Sequence, residues 1–345
     1  MRKTGTNPTA MIEHSETDDA DDVARRRRRR IVGNMSVATR LSLVALLVTL
    51  LSLAVTAAVG LRRGNELADG IVQDQLRSAA AARSSTVDVF LGSNARDVDV
   101  LASSPGTAEL ITELGDAYAA IAAEPATTTE NEQLTEYYLA ELVPAIEAVR
   151  GDISSVGQII PEQAGAVKLQ GRYTIPEETE EGDPPITPSL VVDAGDGSDY
   201  SAIHARMHNV YAGIAASAGY DDLFLIDARG QTIVYTVSKR TDFATSLEVG
   251  PLSGSSLSAL IDRVADDPDA PAAMIDFAAY PPVADAPRMF IANAVRGASG
   301  GVVGYLAVSL SVEPFDTIMS GNGEWAGFGE TGDTYLVGPD GTLRT

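Results

Sequence analysis

The sequence predicts an α+β protein with one N-terminal transmembrane helix, a long helical region and a five-strand antiparallel sheet. Three observations lead to this fold class: an uncharged segment at Leu41–Leu61, helical periodicity to about residue 220, and strand periodicity from Asp221 onward. Strands that follow one another, rather than alternating with helices, favour α+β over α/β. The predicted regions are 1–40, a basic tail; 41–61, the membrane helix; 62–220, the helical region; 221–320, the sheet; and 321–345, the start of a second, smaller module.

Composition excludes several kinds of functional site. The 345 residues include no cysteine, so disulfide scaffolds, thiolate metal sites and cysteine nucleophiles are impossible. Three histidines leave little material for histidine-based catalysis. Residues 64–345 hold 14 basic and 42 acidic residues, a net charge of 14 − 42 = −28. Such an acidic region repels phosphates, and we expect no nucleic-acid partner.

The uncharged segment Leu41–Leu61 has the length of a membrane span. Its 21 residues extend about 31 Å as a helix, close to the thickness of a bilayer core. A cleaved signal peptide, with a site near Ala57, is the alternative, but its apolar part would be only about 7–15 residues long. Near its ends, seven arginines precede the span (Arg25–Arg30, Arg40) and three follow it (Arg62, Arg63, Arg77). We therefore expect a cytoplasmic N-terminus whose basic run touches membrane lipid, and an extracytoplasmic region over 64–345.

The helical region is predicted to contain a long signalling helix over Asn65–Ser103, where apolar residues recur at three- and four-residue steps. Pro144 is predicted to kink the second of the helices that follow it, Glu132–Arg150. Residues 151–197 are the least regular part, and Pro176–Pro188 reads as a surface loop. The other predicted helices are Thr107–Glu124, Glu132–Arg150, and one from Ser198 or Asp199 to about Ala218.

The strand region contains five strands, with a helix at Leu252–Val264 between the second and third. After a short helix at Pro314–Ser320, strand Thr334–Gly338 and the start of its return at Thr342–Arg344 end the chain. A hairpin that stops there cannot bury its apolar face, so we expect the N-terminal part of a longer protein. The five strands are Leu223–Asp227, Gln231–Val237, Ala272–Tyr280, Arg288–Arg296 and Val302–Val312.

Two glycine motifs match enzyme patterns in the wrong context. Gly297-x-Ser299-x-Gly301 fits a nucleophile elbow, but strands flank it and no histidine follows His208, so a hairpin is predicted. Gly327-x-Gly329-x-x-Gly332 fits a dinucleotide fingerprint, but a strand rather than a helix leaves it.

Two polar clusters could be read as metal sites, and for each of them another reading is favoured. His204 and His208 share one helix face, and we expect them to pack on the sheet, with ligand contact as the second reading and metal as the last. The aspartates between Asp193 and Asp199 are three apart rather than two, which favours a turn into a helix cap over a calcium loop. The sequence predicts no catalytic residues, no metal ligands and no cofactor.

Several segments, in order, resemble the double Cache sensor domain of bacterial transmembrane receptors. They are Gly219–Asp227, Ile233–Lys239, Asp242–Leu247, Asp276–Pro282 and Gly327–Gly341, together with the stretch from Asp196 through His204 to His208. The resemblance covers about residues 64–345. It implies a distal PAS-like sheet that binds a small ligand, and a membrane-proximal module that opens near residue 327. A second membrane helix, a HAMP linker and a cytoplasmic output domain usually follow in this family.

The resemblance does not identify the ligand. The amino-acid-sensing branch holds its ligand with an Arg-x-Trp-Tyr motif and an Asp on the last strand. Here the only tryptophan is Trp325, and Ser309 stands where that Asp would be, which argues against an amino acid. Polar residues in or beside otherwise apolar strands provide the predicted ligand-binding set: Tyr235, Asp276, Tyr280, Arg288, Asn293 and Ser309. Tyr235 and Tyr280 could equally be core residues with a hydroxyl at the rim.

These observations predict the extracytoplasmic ligand-sensing region of a bacterial receptor, working as a homodimer through its long helix. Ligand binding would shift the sheet and the long helix between two arrangements. The output would lie outside these residues: composition suggests a class III nucleotide cyclase, and a chemotaxis methyl-accepting domain, a sensor kinase or a phosphatase are alternatives. Functions of other classes are a membrane-tethered solute-binding protein and an extracytoplasmic metal hydrolase that uses the two histidines.

Overall fold

The computed structural model describes residues 36–151, 159–176, 187–320 and 334–344. The chain divides into two compact units, Met1–Arg77 and Ser78–Thr345. In the first unit, residues 37–77 belong to a long helix, α1 (Val37–Ala102), of which residues 78–102 belong to the second unit. This helix contains an 18-residue window with a mean hydropathy of 2.5, and none of that window is buried. It is therefore long and apolar enough to cross a membrane, and it includes the predicted span 41–61.

The second unit contains the remaining described elements. Its helices are α2 (Pro105–Ala122), α3 (Thr128–Tyr137), α4 (Val143–Arg150), α5 (Ala164–Tyr173), α6 (Asp199–Ala218), α7 (Ser256–Asp266) and α8 (Glu313–Ser320). Its strands are β1 (Asp222–Asp227), β2 (Thr232–Thr236), β3 (Ala273–Ala279), β4 (Pro287–Arg296) and β5 (Val302–Leu310).

The five strands form one antiparallel sheet in the order β2-β1-β5-β4-β3, which confirms the predicted fold class. Alternate residues of each strand point to opposite faces. Leu225, Ile291 and Leu306 lie in a core shared with α1, α2 and α6. Phe224 and Phe290 lie in a second core that α7 covers. Because both faces are covered, the middle residues of the central strands β1 and β5 are apolar on both faces.

The long helix is fixed to the sheet by one carboxylate. Asp99 Oδ1 accepts hydrogen bonds from the Asn293 side-chain amide at 2.7 Å and from the Ala272 N–H at 2.8 Å. The buried face of the same helix includes Val87 and Val98. The predicted three- and four-residue spacing of buried residues is therefore confirmed over this part of the helix. The helix does not begin at Asn65, as predicted, because α1 is continuous from Val37.

Two departures from the predicted helices have local causes. Helix α5 lies inside the stretch expected to be irregular, because nearly all of its residues are buried and no amphipathic period marks it. Directly before Pro144, where a kink is predicted, the helix changes to a π-helical turn, Tyr138–Leu142, and Pro144 has no N–H to donate to a carbonyl of that turn.

The turns expected from the glycine and aspartate motifs are confirmed. Gly297 N–H donates to the Gly301 carbonyl in the hairpin between β4 and β5. Asp193 accepts from the Gly195 N–H, and Ser198 caps α6 by accepting from the Ser201 N–H.

The end of the chain forms a small turn that contacts the sheet. Val337 and Leu343 make an antiparallel bridge, so the two predicted terminal strands are reduced to a single pair. Arg344 donates from Nε and Nη2 to Asp276 Oδ2 of β3, at 3.0 and 2.8 Å. The Gly327–Gly332 motif, Trp325 and the basic run Arg25–Arg30 lie outside the described residues.

Replacing Asp99 with alanine is expected to lower the free energy of unfolding by about 1–3 kcal/mol, because two partly buried donors lose their acceptor. Asp88→Ala, at an exposed position of the same helix, is the matched control and should change it by less than about 0.5 kcal/mol. Urea unfolding of both variants measures the difference. Equal losses in the two variants would show that the contact with the sheet is unimportant.

Candidate functional site

A cavity of about 430 Å³ opens at the end of the sheet where β1 begins. Four pieces of chain form its wall: the π-turn with α4, residues 187–189, residues 238–241 and the turn at 282–284. A groove of about 580 Å³ elsewhere is lined only by residues from Thr128 to Ala140 along a single stretch of helix, most of them exposed. The first cavity draws its lining from four separate segments, and it is the candidate site.

The connection from β2 to α7 forms one wall of the cavity and is itself buried. Asp222 Oδ1 accepts from the N–H groups of Val237 and Ser238 at 2.9 and 3.1 Å. The Gln170 side-chain amide donates to the carbonyls of Thr241 and Phe243 at 3.0 and 2.7 Å. These side chains satisfy main-chain groups that would otherwise be buried without partners.

Lys239 is a buried base in this wall. Its Nζ donates to the carbonyls of Pro188 at 3.2 Å and Val237 at 3.4 Å, and lies 3.3 Å from His208 Nε2. Burial lowers the pKa of Lys239 to about 7, and the charge of Asp222 partly opposes this. The ammonium therefore depends on carbonyl oxygens rather than on a carboxylate.

Two histidines hold the segment that forms the opposite wall. His208 Nε2 donates to the Ser189 carbonyl at 2.8 Å, and its Nδ1 then accepts from the Tyr235 hydroxyl at 2.9 Å. His204 Nδ1 donates to the Val192 carbonyl at 2.7 Å. The two rings stack with centroids 4.7 Å apart, so the expected packing of this helix face against the sheet is confirmed.

Both imidazoles are held neutral. Burial lowers the pKa of His204 to about 3, with the charge of Lys239 as the second cause. Burial and the same charge also lower the pKa of His208. These hydrogen bonds require one ring nitrogen of each histidine to carry a proton, and the neutral tautomers provide it. Lys239, His208 and His204 together hold residues 188–192, which we call the strap, by three main-chain carbonyls.

Two buried carboxylates lie behind the wall. Asp242 Oδ2 accepts from the Tyr280 hydroxyl at 3.0 Å, while its Oδ1 has no partner among the described residues. Burial raises the pKa of Asp242 to about 7, and the charge of Asp222 adds to the shift. Burial also raises the pKa of Asp222. The protonated form is therefore favoured at both positions far more than for an exposed aspartate.

An arginine pair brackets the third carboxylate of the cluster. Asp221 accepts from Arg240 Nη1 at 2.7 Å and from Arg288 through Nε at 2.8 Å and Nη2 at 3.1 Å. These hydrogen bonds and charges lower the pKa of Asp221 despite its burial. Of the two arginines, only Arg240 lines the cavity.

The backbone is strained at two points of the rim. Lys239 has φ = +49°, and Ala284 and Asp285 have φ = +52° and +61°. An ion pair between Arg150 of α4 and Asp285 holds the second of these turns. Non-glycine residues in this conformation cost free energy and tend to occur where geometry is needed for function.

The structure separates the six residues predicted to bind a ligand. Tyr235 contacts His208 and Asn293 contacts Asp99, both on the α1 face of the sheet, whereas Asp276 pairs with Arg344. The other three gather behind the cavity wall: Tyr280 donates to Asp242, Arg288 to Asp221, and Ser309 lies opposite Asp222 in the sheet register. None of the six lines the cavity, so their binding role stays a prediction.

The residues that do form the wall were missed, although the sequence carried one signal for them. Only two lysines follow residue 3, Lys168 and Lys239, and both are buried against main-chain carbonyls. The dipeptide Lys239-Arg240 is also the one adjacent pair of basic residues in the strand region. Rare basic residues in an acidic chain could have marked this site.

No protein-family model and no curated protein matches the chain. Solved structures that it resembles include the ligand-binding domain of the Pseudomonas fluorescens chemoreceptor CtaA in complex with L-serine, 17% identical with a TM-score of 0.28 over 40% of this chain and 53% of that one. A second is the ligand-binding domain of the Pseudomonas aeruginosa PAO1 amino acid chemoreceptor PctC in complex with GABA, 15% identical with a TM-score of 0.26 over 41% and 66%. A third is the sensory domain of the Campylobacter jejuni chemoreceptor Tlp3 (CcmL), 12% identical with a TM-score of 0.30 over 63% and 74%.

These neighbours are ligand-binding and sensory domains of bacterial chemoreceptors, the class of protein that the double Cache resemblance indicates. The chain spans about half the length of the first and about two-thirds of the second. With TM-scores of 0.26–0.30, the likeness gives no information on ligand or mechanism, for which the chain's own geometry is the guide.

Replacing His204 with glutamine is expected to remove part of the pH dependence of stability. The unfolded histidine titrates near 6.5 and the folded one near 3, so the unfolded chain binds more protons between these values. Stability contributed by neutral His204 is complete above pH 6.5 and is lost as pH falls, by about 1.4 kcal/mol per unit.

Denaturant unfolding of the wild type and His204→Gln between pH 6.5 and 4 tests this slope. Asp242, whose pKa is raised, gives the opposite dependence, since its stabilising effect falls as pH rises toward 7. That contribution is present in both proteins and cancels in their difference. Parallel curves for the two proteins would contradict the assignment.

Proposed function

We propose that this chain is the extracytoplasmic input region of a bacterial transmembrane signalling receptor, and that it binds a small molecule in the cavity at the start of β1. Helix α1 would anchor the region in the membrane, with the N-terminus in the cytoplasm. The role is sensory rather than catalytic, and the protein would act as a homodimer through α1. A chemoreceptor-type output agrees with the neighbours, whereas nothing supports the nucleotide cyclase that composition suggested.

The observation that carries the proposal is a continuous connection from the cavity to α1. The turn at 282–284 lines the cavity and directly follows β3 and Tyr280. Strand β3 is irregular between Ile275 and Ala278, and Phe277 within this irregularity packs edge-on against Phe315 of α8 at 5.1 Å.

Phe315 in turn packs edge-on against Phe90 of α1 at 5.4 Å, and Arg83 of α1 donates to the Ile318 carbonyl of α8. A ligand that repositions the turn would thus act on α1 through β3 and three aromatic rings. It can shift the balance between two arrangements only by binding one more tightly than the other.

Filling the cavity should abolish ligand binding without unfolding the protein. Ala145 lines the cavity and Ala148, on the same helix α4, is exposed. We expect a metabolite screen by thermal shift on the full chain to find a compound that, at about one hundred times its Kd, stabilises the wild type and Ala148→Phe by about 2.7 kcal/mol. Ala145→Phe should lose this stabilisation. Unchanged stabilisation in Ala145→Phe, or no stabilising compound at all, would contradict the proposed site.

A distance measurement separates a sensor from a tethered solute-binding protein. Because the chain contains no cysteine, Val89→Cys on α1 and Ala265→Cys on α7, both at exposed positions, can be spin-labelled without background. Ligand should change the distance distribution between the two labels, and Phe315→Leu should reduce that change. A bound ligand that leaves the distribution unaltered would favour the tethered binding protein.

A further inference from the structure

The cavity wall has the opposite charge to the region around it. Residues 64–345 carry a net charge of 14 − 42 = −28, yet the wall contains two bases, Lys239 and Arg240, and one acidic residue, Glu141, which is exposed. We propose, on the basis of the proposed function, that the cavity takes a small anionic ligand with a carboxylate group. The ligand would bind Arg240 directly, and Lys239, whose side chain is buried in the wall, would act on it through its charge.

The ammonium form of Lys239 has no carboxylate in contact with it, and the charge of Asp222 acts on it only at longer range. Its Nζ contacts two carbonyls and an imidazole, and no carboxylate among the described residues lies within 4 Å of it. A buried ammonium in contact only with dipoles retains much of its attraction for an anion. A carboxylate in the cavity would provide the missing charge, and it would also favour the charged form of the lysine.

Arg240 lines the cavity and has donors without a partner among the described residues. Its Nη1 donates to Asp221, whereas Nε and Nη2 have no partner among the described residues. Its side chain is 32% exposed. Asp221 is also paired with Arg288, whose side chain is only 12% exposed. One carboxylate therefore serves two guanidinium groups, and Arg240 is the one left able to bind a second carboxylate.

The uncharged part of the wall can supply further hydrogen-bond donors. Thr187, Ser189 and Thr241 line the cavity, and their hydroxyls, which can donate to a carboxylate, make no hydrogen bond among the described residues. Asp222 and Asp242 do not line it, and burial favours their protonated forms, so they offset the bases only in part. A cationic ligand would find a single carboxylate, that of Glu141, at an exposed position.

Matched variants of the two arginines test the proposal. Titration calorimetry on the full chain would use the sodium salts of acetate, lactate, succinate and citrate, with acetamide, lactamide and succinamide as uncharged counterparts and glycine and alanine as zwitterions. We expect at least one carboxylate to bind while its amide does not, and sodium chloride to weaken the binding.

Arg240→Gln should weaken that binding by about tenfold or more, since it removes a charged donor pair. Arg288→Gln removes the other partner of Asp221, lies outside the wall, and should change Kd by less than about threefold. Arg240→Lys should recover part of the affinity, and Glu141→Gln should leave it equal or tighter. Melting temperatures measured without ligand identify any variant that fails to fold. Such a variant is replaced by Thr241→Val, which is expected to weaken binding severalfold.

Four outcomes would overturn the anionic assignment. The first is that amides bind as tightly as the acids, and the second is that Arg240→Gln and Arg288→Gln lose equal affinity. The third is that Glu141→Gln abolishes the binding of a zwitterion, and the fourth is that no carboxylate binds. The first and third would leave the proposed sensory function in place, because a ligand would still occupy the cavity. If Ala145→Phe also blocked binding of a neutral or cationic compound, only the charge assignment would have failed. If no compound of any charge bound, the proposed function would fail as well.

Discussion

The amide side chain of Gln170 is the interaction on which the site depends. Connections between strands and helices normally run over the surface, but residues 242–247 are buried and their main chain needs partners inside the protein. Gln170 donates to the Phe243 carbonyl and to that of the neighbouring Thr241, and it accepts from the Tyr138 hydroxyl, which is also within hydrogen-bond distance of the Thr241 carbonyl. Helix α5, the π-turn and the β2–α7 connection are thereby held as one framework, and two of the four pieces of the cavity wall take their positions from it.

Polar burial and strain are concentrated at one end of the sheet. There the described chain brings together Lys239, two stacked imidazoles, two carboxylates with raised pKa values and three positive-φ residues. The opposite end holds the glycine turn of the β4–β5 hairpin and the β1–β2 turn, with one non-glycine positive-φ residue, Gln231, and one buried aspartate, Asp227, paired with Arg229. Each of these features costs stability, and their occurrence together is expected where a protein needs a preformed site rather than the most stable core.

The sequence predicted the parts of the fold that repeat with a period and not those that depend on packing. Alternation located all five strands, and a serine cap located the start of α6. Helix α5 has no such period because it is buried on nearly all sides. For the site, alternation selected polar strand residues without indicating a face, so Tyr235 and Asn293 were grouped with Tyr280 on different sides of the sheet. Lys239 lies in a connection, where no period applies.

The strap has a consequence for how such a site can change over time. The strap accepts hydrogen bonds from Lys239, His208 and His204 only through the carbonyl oxygens of Pro188, Ser189 and Val192. Main-chain oxygens are present whatever residue occupies a position, so substitutions in the strap leave its attachment intact. Selection could therefore exchange the side chains at 187 and 189, which line the cavity, without rebuilding the framework beside them.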